Sequence, residues 1–134
     1  MDKNLQLDIV TPDRLVLSER VDYVSAHGVK GDFGVLPGHI PMLVALSVGG
    51  LSYVVDGSRR TAFVNGGFAE VAGNKVTVLA ESSELADNID LARAMESKRR
   101  AEQRLENRET GFNMKRVESS LQRALARIQI HDNR

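Results

Sequence analysis

The periodicity of the chain changes once, near residue 85, and the change divides it into two kinds of structure. Residues 1–80 hold all three prolines and ten of the eleven glycines; residues 81–134 hold no proline and one glycine. Proline and glycine end regular elements, so the first part is cut into short pieces and the second is free to run as long helices.

In the first part the apolar residues alternate, as a half-buried strand demands because successive side chains point to opposite faces. Leu5, Leu7 and Ile9 alternate in this way, as do Val21 and Tyr23, and a β-branched run follows at Tyr53, Val54 and Val55. Further strands are expected at 61–65, 68–71 and 75–80, separated by turn pairs at Asp56-Gly57, Gly66-Gly67 and Gly73-Asn74. The pattern predicts an all-β sandwich, a flattened barrel of about ten strands, over residues 1–85.

Residues 86–134 are expected to form a C-terminal antiparallel α-helical hairpin. Asp87, Asn88 or Asp90 can cap a first helix with an acidic first turn, running to about Asn107. A break is expected at Glu109-Thr110-Gly111. The second helix carries an apolar stripe at Val117, Leu121, Ala124 and Ile128 with Leu125 beside it, facing a thinner stripe of Leu91, Ala94, Ala101 and Leu105 that Lys98 interrupts. Such a seam is weak, so the hairpin depends on docking elsewhere or on a ligand, and it is able to open.

Charge and residue types narrow the chemistry. The 18 basic and 18 acidic residues cancel, which argues against a nucleic-acid binder, and the few aromatics are better spent in the core than interleaved with basic residues. The longest apolar stretch, 40–51, is too short to span a bilayer, and the first ten residues lack a signal-peptide core, so the chain reads as soluble and unexported, with no direct lipid insertion. There is no cysteine, and no phosphate-binding loop, dinucleotide fingerprint, zinc-protease or nucleophile-elbow motif is present. His27, His39 and His131 are too scattered for a metal site and read as polar surface residues. No catalytic residue and no metal ligand is expected.

Two local signals remain. Gly31 through Pro41 packs two prolines and three glycines into eleven residues, which suits either a rigid recognition loop or a purely structural turn. Arg93 and Arg100 lie seven apart on the first helix, and Arg123 and Arg127 four apart on the second. In a folded hairpin these four cations either converge on an anion or are paired by Glu96, Glu102 and Glu118 in an ordinary surface lattice, which spacing alone favours.

The segments GDFGVLPGHIPML, FVNGGFAEV, VTVLAE and IDLARAMESKRRAEQRL, in order and over nearly the whole chain, closely resemble the epsilon subunit of bacterial F-type ATP synthase. The resemblance implies a non-catalytic rotor subunit at the cytoplasmic face of the bacterial plasma membrane. It implies a sandwich that binds the gamma subunit and the c-ring, and a hairpin that either folds on the sandwich or extends towards the alpha and beta subunits to inhibit ATP hydrolysis. Asp32 and His39 then stand at c-ring contact positions, with Pro37 and Gly38 setting the loop's shape. Some family members bind ATP between the folded helices through an [IL]DxxRA motif, matched here by Ile89, Asp90, Arg93 and Ala94, with Glu84, Arg100, Arg123 and Arg127 at the other positions. No cofactor is implied; ATP, with or without Mg²⁺, is implied as a regulatory ligand bound without turnover. A free-standing ATP-sensing protein without a rotor role is the alternative.

Overall fold

The computed structural model describes residues 4–108 and 111–134. Ten strands form two five-stranded sheets, followed by two helices. The strands are β1 (Leu5–Val10), β2 (Leu15–Val21), β3 (Tyr23–Gly28), β4 (Gly31–Val35), β5 (Met42–Ala45), β6 (Gly49–Val55), β7 (Ser58–Val64), β8 (Phe68–Ala72), β9 (Lys75–Leu79) and β10 (Ser83–Leu85). A single 3-10 turn, Ala86–Asn88, leads to α1 (Leu91–Asn107) and α2 (Met114–Asp132).

The first sheet has the order β2-β1-β9-β8-β5, with β1 and β9 parallel and every other pair antiparallel. The second, β10-β7-β6-β3-β4, is antiparallel throughout. Alternation does what the sequence expects: Leu5, Leu7, Ile9, Val76 and Val78 point inward from the first sheet and meet Val24, Val35 and Leu51 from the second. The turn pairs are equally legible, since Asp56-Gly57, Gly66-Gly67 and Gly73-Asn74 all adopt positive φ. At Gly67, with φ of 95°, a Cβ would fall on the Leu79 carbonyl oxygen, so glycine is required there for space as well as for conformation.

Two expectations are corrected. Residues 31–35 are not irregular loop; they form β4, paired with β3 from Val24↔Val35 to Gly28↔Gly31, and Gly34 is the point where the Tyr23 ring crosses the strand. The first turn of α1 holds no acidic residue, because Asp90 is the cap itself and its carboxylate accepts from the Arg93 N–H at 3.1 Å. Of the break expected at Glu109-Thr110-Gly111, the first two residues lie outside the described residues; Gly111 has φ of 85°.

The helical seam is thin. Ala94 and Ala101 of α1 meet Val117 and Ala124 of α2 as its buried side chains, while Leu121 and Ile128 are only half-buried and Leu125 is exposed. What fixes the hairpin is docking of α2 on the outer face of the second sheet: Ile130 packs with Phe63, Ala86 and Ile89 in a small cluster of its own, with Val48 and Ala126 at its margin. Ile130 lies two residues beyond the stripe read from the sequence, because it faces the sheet rather than α1.

Candidate functional site

The DxxRA motif spans the step from the sandwich into α1, and only its first residue lies at the junction between α2 and the sandwich. Ile89 is buried in the docking cluster, Asp90 caps α1, and Ala94 is buried in the helical seam. The motif is therefore also the device that starts α1 at a fixed place on the sandwich. Arg93 is exposed, and its backbone N–H, rather than its guanidinium, is held by Asp90.

Arg127 and Glu84 form the strongest polar link between hairpin and sandwich. Arg127 Nε donates to both Glu84 oxygens at 3.0 and 3.2 Å, and Nη2 donates to Oε2 at 3.2 Å. The guanidinium carbon lies 4.2 Å from the centroid of the Phe63 ring. Both side chains of the pair are about three-quarters covered, with exposures of 25% and 26%. Phe63 is the member of this arrangement that sequence reading missed; its position on β7, next to the strand that carries Glu84, was the available signal.

The other arginines are differently placed. Arg100 stands 3.8 Å from Glu96, which is engaged mainly by Arg99 through two hydrogen bonds at 3.0 and 2.6 Å. Those bonds lower the Glu96 pKa and raise that of Arg99. Among the described residues Glu102 and Glu118 make no ion pair, and neither does Arg123. The surface lattice expected from spacing is thus confined to Glu96 on α1.

Asp32 and His39 are held by different partners. Asp32, on β4, is exposed, and its Oδ1 lies 2.6 Å from His27 Nδ1 across the β3–β4 ladder. His39 sits in the turn 36–41, where its backbone N–H donates to the Leu36 carbonyl and its ring nitrogen Nδ1 lies 2.7 Å from the Ile40 carbonyl oxygen. The Gly38 N–H donates to Asn74 Oδ1 at 2.6 Å, tying this turn to the β8–β9 hairpin. Leu36 and Ile40 are exposed beside it.

The outer faces of the two sheets differ. That of the second sheet is covered by α2 over β6 and β7. That of the first carries an apolar row crossing all five strands: Ala45 pairs with Phe68, Phe68 with Leu79, Leu79 with Val10, and Val10 with Leu15. Phe68, Leu79 and Leu15 are 52%, 55% and 57% exposed. Below the row lies a polar cluster in which Gln6 Nε2 and Ser18 Oγ donate to Asp8 Oδ1 at 2.9 and 2.8 Å, with Lys75 3.4 Å from Oδ2. These bonds, with Lys75, hold the Asp8 pKa below its ordinary 3.8.

Among the described residues no helix is long and apolar enough to cross a membrane, and no group of three or more acidic or histidine side chains is placed to hold a metal.

Comparison with known proteins agrees with this architecture. Residues 4–86 match the family described as ATP synthase, Delta/Epsilon chain, beta-sandwich domain, and residues 87–131 match its long alpha-helix domain. The chain is 56% identical over 133 residues to an ATP synthase epsilon chain from Nitratidesulfovibrio vulgaris (strain DP4), covering 99% of each. It is 44% identical over 135 residues to that of Desulforapulum autotrophicum, covering 100% of each. A chain in the cryo-EM structure of the Euglena gracilis mitochondrial ATP synthase OSCP/F1/c-ring superposes with a TM-score of 0.78 at 20% identity, over 94% of this chain and 80% of that one, which is a likeness of fold.

Proposed function

Because the chain belongs to the ATP synthase epsilon family and is a subunit rather than itself a catalyst, we propose that it is the rotor subunit that couples gamma to the c-ring at the cytoplasmic face of the membrane and restrains ATP hydrolysis through its hairpin. The observation that carries this reading is the bare apolar row on the first sheet. Phe68, Leu79 and Leu15 leave more than half of their surface in water on a face that the chain's own helices do not cover. A contiguous apolar patch of this kind is satisfied by a partner surface. Gamma is that partner, and Asp32 near the start of β4 together with the turn 36–41 beyond its end meets the polar loops of the c-ring. Phe68→Glu combined with Leu79→Glu should abolish co-purification with gamma while the thermal transition of the sandwich persists. Retained capture would refute the docking face, and a chain that works as a free-standing nucleotide sensor would never yield a gamma complex.

ATP is the regulatory ligand of the folded hairpin, held by Glu84, Ile89, Asp90, Arg93, Ala94, Arg100, Arg123 and Arg127 without hydrolysis. Arginine forks suit the phosphates, and carboxylates accept from the adenine amino group. Because Arg127 and Glu84 already satisfy each other, the nucleotide must join or divide that pair, which limits its affinity. Calorimetric or NMR titration of the isolated chain tests this: no binding at millimolar ATP sinks it, and Arg123→Ala should weaken binding with the sandwich intact. In the extended hairpin, Arg116, Arg123 and Arg127 face acidic surface on the alpha and beta subunits.

A further inference from the structure

The turn between β4 and β5 is held from outside by a residue that the rotor reading does not use. Leu36, Pro37, Gly38 and His39 form a β-turn in which the His39 N–H donates to the Leu36 carbonyl at 3.2 Å. Proline at the second position and a glycine with φ of 83° at the third are the marks of a type II turn. A Cβ at Gly38 would stand in open space, so glycine is needed there for conformation rather than for room. Type I and type II turns differ by a flip of the central peptide, here Pro37–Gly38. The direction of the Gly38 N–H therefore distinguishes the two, and this N–H donates to Asn74 Oδ1 at 2.6 Å.

Asn74 is an unexpected residue for its own hairpin. Gly73 and Asn74 have φ of 56° and 59°, the double positive-φ pattern of a type I′ turn, and they join β8 to β9. Such turns favour asparagine first and glycine second; here the order is reversed. Glycine would meet the conformational demand at 74 without strain, so closing the hairpin leaves the Asn74 side chain unexplained. Its contact with Gly38 explains it. Only the amide oxygen can receive the Gly38 proton, which fixes how the amide is turned. At the same time the Asn74 backbone carbonyl accepts from the Gln6 N–H at 3.0 Å, so the residue is tied to β1. The link thus joins the tip of the 36–41 turn to the first sheet, across 36 positions of sequence.

We propose that Asn74 is a positioning residue for the rotor contact: it holds the Pro37–Gly38 peptide in the type II orientation and so sets how Leu36, His39 and Ile40 are presented to the c-ring. This rests on the reading that places the turn 36–41 at the c-ring. Leu36 and Ile40 are exposed, and His39 is half-buried with its ring folded back on the Ile40 carbonyl oxygen. A turn released from Asn74 would sample other arrangements, and binding weakens by the fraction of the population that is lost. Because β1 and β9 belong to the sheet whose outer face meets gamma, the same link sets the turn in register with that face.

The experiment compares Asn74→Gly, which keeps the positive φ and loses the acceptor, with Asn74→Asp, which keeps both. In the full chain the Gly38 amide should exchange about threefold to tenfold faster in Asn74→Gly, the range set by the net strength of one hydrogen bond, and no faster than the parent in Asn74→Asp. Both variants should capture gamma as the parent does. Capture of the purified c-ring by the gamma complex should weaken about threefold in Asn74→Gly and be restored in Asn74→Asp. A general loss of stability would produce neither the split between gamma and c-ring nor the rescue. Unchanged Gly38 exchange in Asn74→Gly overturns the proposal, as does c-ring capture that is unchanged or that falls together with gamma capture. His39→Ala combined with Ile40→Ser separates the proposal from the reading beneath it. If that pair weakens c-ring capture and Asn74→Gly does not, the proposal alone fails; if neither weakens it, the turn is not the c-ring contact and both fail.

Discussion

Truncating Arg127 to alanine should release the hairpin from the sandwich without unfolding the sandwich. Arg127 makes three hydrogen bonds of 3.0 to 3.2 Å to Glu84 and rests on the Phe63 ring. The pair is neither exposed, where such pairs contribute about 0–1 kcal/mol, nor fully buried, where removing one partner costs about 3–5 kcal/mol. Its exposures of 25% and 26% place the loss near the middle, at about 2 kcal/mol, with the cation–π contact included. About 2 kcal/mol shifts the docking equilibrium roughly 30-fold towards the undocked hairpin. Native-state amide hydrogen exchange reads this directly. Amides of α2 around Ala126 and Ile130 should exchange faster by about that factor, while those of β1 and β9 in the sandwich core should not change. Unchanged α2 protection would mean that Ile130 and its apolar neighbours hold the hairpin alone. Faster exchange in β1 and β9 to the same extent would mean that hairpin and sandwich open as one unit, and the reasoning would fail.

Other substitutions probe the sandwich. Asp8→Asn removes the charge that faces Lys75 and replaces one of the two acceptor oxygens by an NH₂ donor, leaving a weaker neutral acceptor for Gln6 and Ser18, and should cost about 1 kcal/mol at neutral pH. Since the folded pKa of Asp8 lies below 3.8, its contribution is fully present above the unfolded value and is lost as pH falls through the lower folded value; denaturant curves of parent and variant should therefore converge in strong acid and differ at pH 7. Gly67→Ala places a methyl group on the Leu79 carbonyl at a φ of 95° and should cost about 3 kcal/mol, lowering the melting temperature by roughly 10–20 °C; a shift of only a degree or two would show that the turn relaxes.

Most of the fold was legible because it rests on local chemistry. Alternation at Leu5, Leu7 and Ile9, positive-φ pairs such as Gly73-Asn74, and the single glycine after residue 80 each act within a few residues, and each has its expected consequence. The site was less legible because it is made by non-local contacts. Nothing near Ile130 says that it turns away from α1 towards Phe63, since the two residues are brought together only when α2 lies across β6 and β7. Arg127 stood out through its spacing from Arg123, yet its partner is Glu84 in β10, 43 positions away, rather than a carboxylate on the helices. The glycines and prolines of 31–41 suggested one irregular loop, but Gly31 and Gly34 belong to β4, where pairing with β3 and the passage of Tyr23 explain them. The apolar row is hidden in sequence for a related reason: Phe68, Leu79 and Leu15 each look like one more core residue until the register places them on the outer face.

The rotor and regulatory account is tested most directly by the ATP hydrolysis rate of the assembled ATP synthase carrying this chain cut after Asp87, compared with the same complex carrying the full chain. The cut removes α1, α2 and the Arg127–Glu84 link while retaining all ten strands. The account predicts a complex that still contains gamma and the shortened chain in stoichiometric amounts and hydrolyses ATP faster than the parent. Unchanged hydrolysis in a fully assembled complex would contradict it, because the hairpin would then not be the element that restrains the enzyme.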